Sequence, residues 1–350
     1  MSIESYVRAM PKVDLHVYLE GAFRQNTLEI IVDLNEIHDS FGNVDHWLTM
    51  FDNIDYEHLD ELIANVTKWI RHPQDLARIV YDLGVLLAKD NVRYAEVSVN
   101  PSPYLESGFT LETFFAAIMD GQNRVERGWP VKLNWILTIP RDEPRRADEI
   151  ARYATSTSTY RQNVVALSLD SYESAQPIGQ FERALRLAEK QELPIVSHTG
   201  KSPDFEAITE IATTFRLDRL LGSWELLGLL HGNNKLVDDL IPVVMNMTQA
   251  VRFGQVNDYG VYPLRRLYND DVKFSLGTAY LNLLDTTLSD EYLHAVHDCG
   301  VSIEMLDEIA LNAIRYSFLP AEEKSLLIEE FTHEYTRLRI EHIETSETSS

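Results

Sequence analysis

The stretch PKVDLHVYLEGAFR, residues 11–24, decides how the rest of the chain is read. Between Pro11 and Gly21 apolar and polar residues alternate with the period of a strand. Val13, Leu15 and Val17 fall on one face; Asp14, His16 and Tyr18 fall on the other. A glycine follows where the chain must turn. A strand with polar residues on one face, rising toward its C-terminal end, is what a parallel α/β protein uses to present a site. The question is which fold holds it.

Seven further apolar runs answer that. They are VRYAEVSVN (92–100), VKLNWILTI (131–139), VVALSLD (164–170), LPIVSH (193–198), DRLLGS (218–223), IPVVMNM (241–247) and VKFSLGT (272–278). Between them lie segments with helical spacing. In 75–91, Leu76, Ile79, Val80, Leu83 and Leu86 share one face; 181–192 and 289–300 follow the same rule, the latter ending on a glycine. Eight strands alternating with helices, without a linker-like break, predict one (β/α)8 barrel, a TIM-type α/β fold over 1–340 with additional helices. Residues 30–70 are too long for a βα loop and predict a helical insertion over the barrel mouth. The last 50 residues predict helices packed outside, and 341–350 a polar, flexible tail.

Composition narrows the function. The 350 residues carry 55 acidic and 31 basic side chains, a formal charge of −24. That field repels phosphate backbones and argues against nucleic acid as a partner. Cys299 is the only cysteine, so neither a disulfide framework nor a Cys-based zinc site forms within the chain, as expected of a cytoplasmic protein. No run of about 18 apolar residues occurs, which argues against a membrane span. The N-terminus MSIESYVRAM lacks the apolar core of a signal peptide. The sequence leaves open whether the protein is a homo- or hetero-oligomer.

Polar residues gather at the C-terminal ends of the expected strands: His16 and Tyr18, Ser98 and Asn100, Asp170, His198, Ser223, Asn246 and Thr278. This is where barrel enzymes keep their chemistry. Two histidines at the tops of the first and fifth strands favour a site over a polar core that merely satisfies itself. The histidines outside these motifs (His38, His46, His58, His72, His231, His294, His297) read as surface or packing residues.

With these motifs in view, the sequence resembles the adenosine deaminase family of amidohydrolases over nearly its whole length. PKVDLHVYLEGAFR is similar to the family's PKxELHxHLxG pattern. IVSHTGK stands where the family has HAGE, DRLLGSW where it has RIGHG, and VKFSLGTAYLNLLDTTLSDEY where a strand ends in TDDP before a TLSDEY-type helix start. The resemblance implies a purine-type pocket at the barrel mouth. In active members it also implies one zinc, held by three histidines and an aspartate, with a further histidine on the attacking water and a glutamate as proton donor.

Set against those roles, this chain keeps His16 and His198. Tyr18 stands for the second histidine, Ala279 for the aspartate with Tyr280 after it, Ser223 (or Gly222, if the one-residue gap is placed differently) for the water-orienting histidine and Lys201 for the glutamate. Two imidazoles fall short of the three protein ligands of a catalytic zinc. No metal cofactor is therefore expected, and zinc enters only if another ligand rescues His16 and His198. Parts of the ligand pocket carry over by resemblance: Glu20, Gly21 and Gly200, with Asp170 and Ser171 at the narrower edge.

Three functions follow. The first is a deaminase-fold pseudoenzyme that binds a small, purine-like ligand or a partner without turnover. The second is a metal-free enzyme using Lys201 as base or Schiff-base nucleophile, with Tyr18, Ser223, Tyr280 and His198 around it. The third is a nucleoside or aminopurine deaminase with a non-standard metal site.

Overall fold

The computed structural model describes residues 2–37, 44–52, 54–156, 163–170, 176–198, 214–222 and 241–344. Lys201, Ser223, Ser171 and Gly200 lie outside the described residues, as do His38, His231 and the tail from 345.

The described residues form one eight-stranded sheet in sequential order. The strands are β1 (Lys12–Tyr18), β2 (Val92–Val99), β3 (Lys132–Ile139), β4 (Val164–Leu169), β5 (Ile195–His198), β6 (Arg219–Gly222), β7 (Val243–Met245) and β8 (Phe274–Leu276). Each pairs in parallel with the next. The ring closes past the end of β8, where Ala279 donates its N–H to His16 O at 2.7 Å and accepts the Tyr18 N–H at 2.9 Å. This is the (β/α)8 barrel the alternation predicts. The later strands are shorter than their apolar runs, because only residues within the hydrogen-bonded ladder count as strand.

Helices cover the outside. Pro73–Lys89 starts with proline at its first turn and buries Leu76, Ile79, Val80, Leu83 and Leu87. Leu86, expected on that face, is only half-buried. The insertion begins at Gln25 rather than 30 and comprises Gln25–Leu34, Val44–Thr49 and Leu59–Thr67. Among the C-terminal helices, Ile303–Tyr316 packs on β1 and β8, so it belongs to the barrel's own helical ring. Ala321–Arg339 lies against the barrel and ties to its base through Tyr335, whose hydroxyl donates to Pro11 O at 2.9 Å.

The N-terminal end of the barrel interior is polar yet closed. Arg219 at the start of β6 meets Glu96 of β2 at 2.6 Å, both fully buried. The Tyr94 hydroxyl (2.9 Å) and the Phe318 N–H (2.6 Å) also donate to Glu96, and the guanidinium stacks over the Phe318 ring at 4.0 Å. Arg219 also donates to Leu15 O at 3.3 Å and Tyr316 O at 2.9 Å, the kind of added hydrogen bonds that offset the desolvation of a buried ion pair. The network plugs that end and leaves the C-terminal mouth as the accessible one. Among the described residues no helix is long and apolar enough to cross a membrane.

Candidate functional site

Strand register sets which side chains share the barrel interior. Tyr18 pairs with Ser98, Ser98 with Ile136, Thr138 with Ser168, and Ser168 with Val196, so these positions face one way. His198, two residues beyond Val196, faces inward with them.

His16, Tyr18 and His198 meet as the alternation predicts. Their ring centroids lie 5.1–5.3 Å apart. The Tyr18 hydroxyl is 2.8 Å from His198 Nδ1, and the Asp170 carboxylate contacts the same nitrogen. One imidazole nitrogen carries one proton at most. The carboxylate, an acceptor only, places that proton on Nδ1, where the Tyr18 oxygen shares it. In the neutral ring Nε2 is then the acceptor. It is buried, and among the described residues neither it nor either ring nitrogen of His16 has a hydrogen-bond partner. Burial, with His198 and Arg219 nearby, holds the His16 pKa well below its ordinary value, so the ring is neutral.

Tyr280 closes the group from above. Its ring stacks on Tyr18 at 4.4 Å, 11° from parallel. Gly21, in the turn Leu19–Ala22, makes that approach feasible: a Cβ there would stand 2.8 Å from Tyr280 Cα and 2.9 Å from its carbonyl carbon. The glycine is required by close packing, not by an unusual φ.

Over these residues opens a cavity of about 160 Å³ lined by Tyr18, Glu20, Asn100, Thr138, Asp170 and Tyr280, with Asp60, Ile63 and Thr67 of Leu59–Thr67 forming its far wall. Leu59–Thr67 of the insertion thus borders this cavity. Burial, with the Asp170 charge adding to it, pushes the Glu20 carboxyl up to about 7. The cavity thus carries acidic groups and flat aromatic surface side by side.

The described residues do not suit a divalent metal. They contain no group of three or more His, Cys, Asp or Glu side chains placed to hold one. Ala279 stands fully buried at the end of β8 with φ 56°. Asp14, the other carboxylate on β1, accepts the Thr278 hydroxyl at 2.6 Å and the His16 N–H at 3.1 Å.

Sequence reasoning placed His16, Tyr18, Glu20, Asp170, His198 and Tyr280 in one site, and the structure brings all six together. It missed the direct Asp170–His198 contact, since a strand-end carboxylate carries no mark of the neighbour it meets. It also missed Thr138, which period-two counting from Asn134 along β3 would have placed inward. Asp60, Ile63 and Thr67 of the insertion carried no signal. Of the histidines read as surface or packing residues, His58 is exposed beside Asp55, and His294 stacks on Tyr259 at 3.5 Å.

Comparison with known proteins follows this geometry. The adenosine deaminase family model matches residues 11–334. An adenosine deaminase from Clostridium botulinum (strain Okra) is 25% identical over 328 residues, 91% of this chain and 96% of that protein. The adenine deaminase of Arthrobacter aurescens superposes with a TM-score of 0.83 at 20% identity, covering 94% of this chain and all of that one. The Arabidopsis N6-mAMP deaminase gives 0.81 at 23% identity, over 94% of this chain and 99% of its own. With eight parallel strands in sequential order and a family match over almost its full length, this chain belongs to the adenosine deaminase family.

Proposed function

We propose that this protein binds a small, purine-like molecule at its barrel mouth and does not carry out zinc-dependent deamination. One observation carries the reading. At the places where the family motifs call for a histidine and an aspartate, Tyr18 hydrogen-bonds a remaining histidine and Ala279 offers no donor atom. A catalytic zinc takes three protein ligands and a water, and lowers that water's pKa toward 7. Two imidazoles do not supply that set, even though His198 is held at Nδ1 alone. Asp14 is already committed to Thr278 and the His16 backbone.

Ligand binding is supported by the cavity itself. It joins a flat tyrosine pair, polar edges at Asn100 and Thr138, and carboxylates at Glu20, Asp60 and Asp170. Its size suits a small molecule rather than a drug-sized one. A cytoplasmic location and a small molecule as the main partner are part of the same proposal.

The Asp170–His198 contact favours one second reading, metal-free acid–base chemistry with Lys201 as nucleophile. Borohydride trapping of a carbonyl substrate on Lys201 would establish it.

The test is metal content together with ammonia release. Protein purified without chelators is assayed by mass spectrometry for zinc, and incubated with adenosine, adenine and N6-methyl-AMP, the substrates in the relatives' names. Binding without ammonia and without stoichiometric zinc is expected. Near-stoichiometric zinc with ammonia release would make the protein a true deaminase and end the proposal.

A further inference from the structure

Ala321–Arg339 lies on the outside of the molecule, packed on the helices Ile303–Tyr316 and Ile3–Ala9. Its inner face is fixed by Phe331, Tyr335 and Leu338, all buried. With about 100° of turn per residue, the direction opposite these three runs through Leu326, Glu330, His333, Arg337 and Ile340. All five are exposed and line one stretch of surface. Leu326 is 63% exposed and Ile340 54%, two of the five large apolar side chains left open among the described residues. An apolar residue alone on a surface needs no explanation. Their placement does, because the strip is symmetric about its centre. Leu326 and Ile340 stand seven residues before and after His333; Glu330 and Arg337 stand three before and four after.

A two-fold axis requires that arrangement. When a helix meets a second copy of itself antiparallel, with the axis beside His333, each residue before His333 faces one equally far after it. Leu326 then packs on the partner subunit's Ile340, and Ile340 on the partner subunit's Leu326. Glu330 comes within one residue's rise of Arg337 of the partner subunit, on the same side of the seam. We propose that this strip is the interface of a homodimer, in which Ala321–Arg339 pairs antiparallel with the same helix of a second copy. The strip complements itself in both apolar contact and charge, which a face shaped for an unrelated partner has no reason to do. Arg337 already holds Glu334 at 2.8 Å and Glu341 at 2.7 Å on its own helix. These exposed pairs are worth little and leave the guanidinium able to take a third carboxylate. The six residues after Glu344, TSETSS, bring no apolar side chain to cover the strip instead. From Leu326 to Ile340 the seam is about 21 Å long, which puts the interface at the small end of those that hold specific complexes. The overall charge of −24 adds repulsion, so the dimer dissociates in the micromolar range. Tyr335 ties this helix to the N-terminal end of the barrel, so the pairing leaves the mouth clear. The inference is independent of what the mouth binds.

Sedimentation velocity of the full chain, from about 1 to about 100 μM in about 0.15 M salt, tests it. Wild type should rise from the 40.2 kDa monomer toward twice that mass. Leu326→Lys, Glu330→Arg and Arg337→Glu should each weaken the dimer roughly tenfold or more, because each sets a charge against an apolar group or a like charge. Glu330→Arg combined with Arg337→Glu restores opposite charges across the seam. That double variant should return to within about threefold of the wild-type dissociation constant. His333→Cys, at the axis, should form a disulfide between copies under mild oxidation. Thr332→Cys, exposed but turned about 100° away, should not. Cys299, the only native cysteine, is half-buried and gives a low background. A monomer at every concentration, a dimer indifferent to Leu326→Lys, or a double variant no tighter than the single charge variants would overturn the inference. Should a charge variant fail to fold, the cysteine variants decide. Cross-linking at 333 and not at 332 upholds the interface; equal or absent cross-linking refutes it.

Discussion

Rebuilding the metal site tests the central claim most directly. Tyr18→His with Ala279→Asp would restore the donor types that the family motif calls for, beside His16 and His198. The structure sets the cost. Tyr18 gives up its stack on Tyr280 at 4.4 Å, worth about 0.5–1.5 kcal/mol, and its 2.8 Å hydrogen bond to His198, worth about the same. Position 279 is fully buried, so a new carboxylate there pays a desolvation penalty of several kcal/mol while unpaired. Its φ of 56° is neutral to the change, since aspartate adopts that region more readily than alanine. Without metal the double variant should therefore be less stable by several kcal/mol. Zinc at about 100 times its Kd would return about 2.7 kcal/mol. Melts by scanning fluorimetry with EDTA and with added zinc should show a large zinc-dependent rise in Tm for the variant and none for wild type. Should the double variant not fold, Tyr18→His alone, with three imidazoles, is the fallback and should take up zinc by mass spectrometry. A zinc-dependent rise of similar size in wild type would refute the reasoning, because His16 and His198 would then hold the ion without further help.

Other outcomes follow from single contacts. Glu20 has its carboxyl raised from 4.5 to about 7, so the folded state binds this proton more tightly than the unfolded chain does. The stability this contributes is full below pH 4.5 and is lost as pH rises to about 7; relative to Glu20→Gln, wild type should lose up to about 3 kcal/mol across that window in urea titrations. Glu96→Ala strands the fully buried Arg219 and should cost about 3–5 kcal/mol by chemical denaturation, with no change confined to ligand affinity. Gly21→Ala drives a Cβ to 2.8 Å from Tyr280 Cα and should destabilise by about 1–3 kcal/mol while shifting the Tyr18–Tyr280 pair, visible as altered near-UV dichroism. Asp170→Asn replaces the acceptor-only carboxylate at His198 Nδ1 by an amide that can also donate; the histidine's nitrogen-15 shifts should move, and an unchanged spectrum would contradict the assigned tautomer.

The barrel was legible in the chain because its signals are local. Alternation within 12–18, apolar runs of strand length and helical spacing between them each depend on residues a few positions apart, and secondary-structure period is a short-range property. The inward direction of His16 and Tyr18 followed from the same alternation. The lack of a carboxylate at 279 came instead from the resemblance to the family motif, because the residue at a matched position is itself sequence information.

The partnerships across the barrel were not legible. Asp170 and His198 stand 28 residues apart, and Tyr18 and His198 180 apart. Only closure of the ring brings them onto one nitrogen. Arg219 could have paired with any of several carboxylates; the register that sets β6 across the interior from β2 chose Glu96. The roof over the cavity depends on where the insertion folds back, which no periodicity within it specifies. The sequence by itself therefore determined the kind of scaffold and the inventory of side chains on its inner face. Tertiary structure alone decided which of them meet, because hydrogen bonds between strands distant in sequence depend on ångström-scale placement that local patterns do not encode.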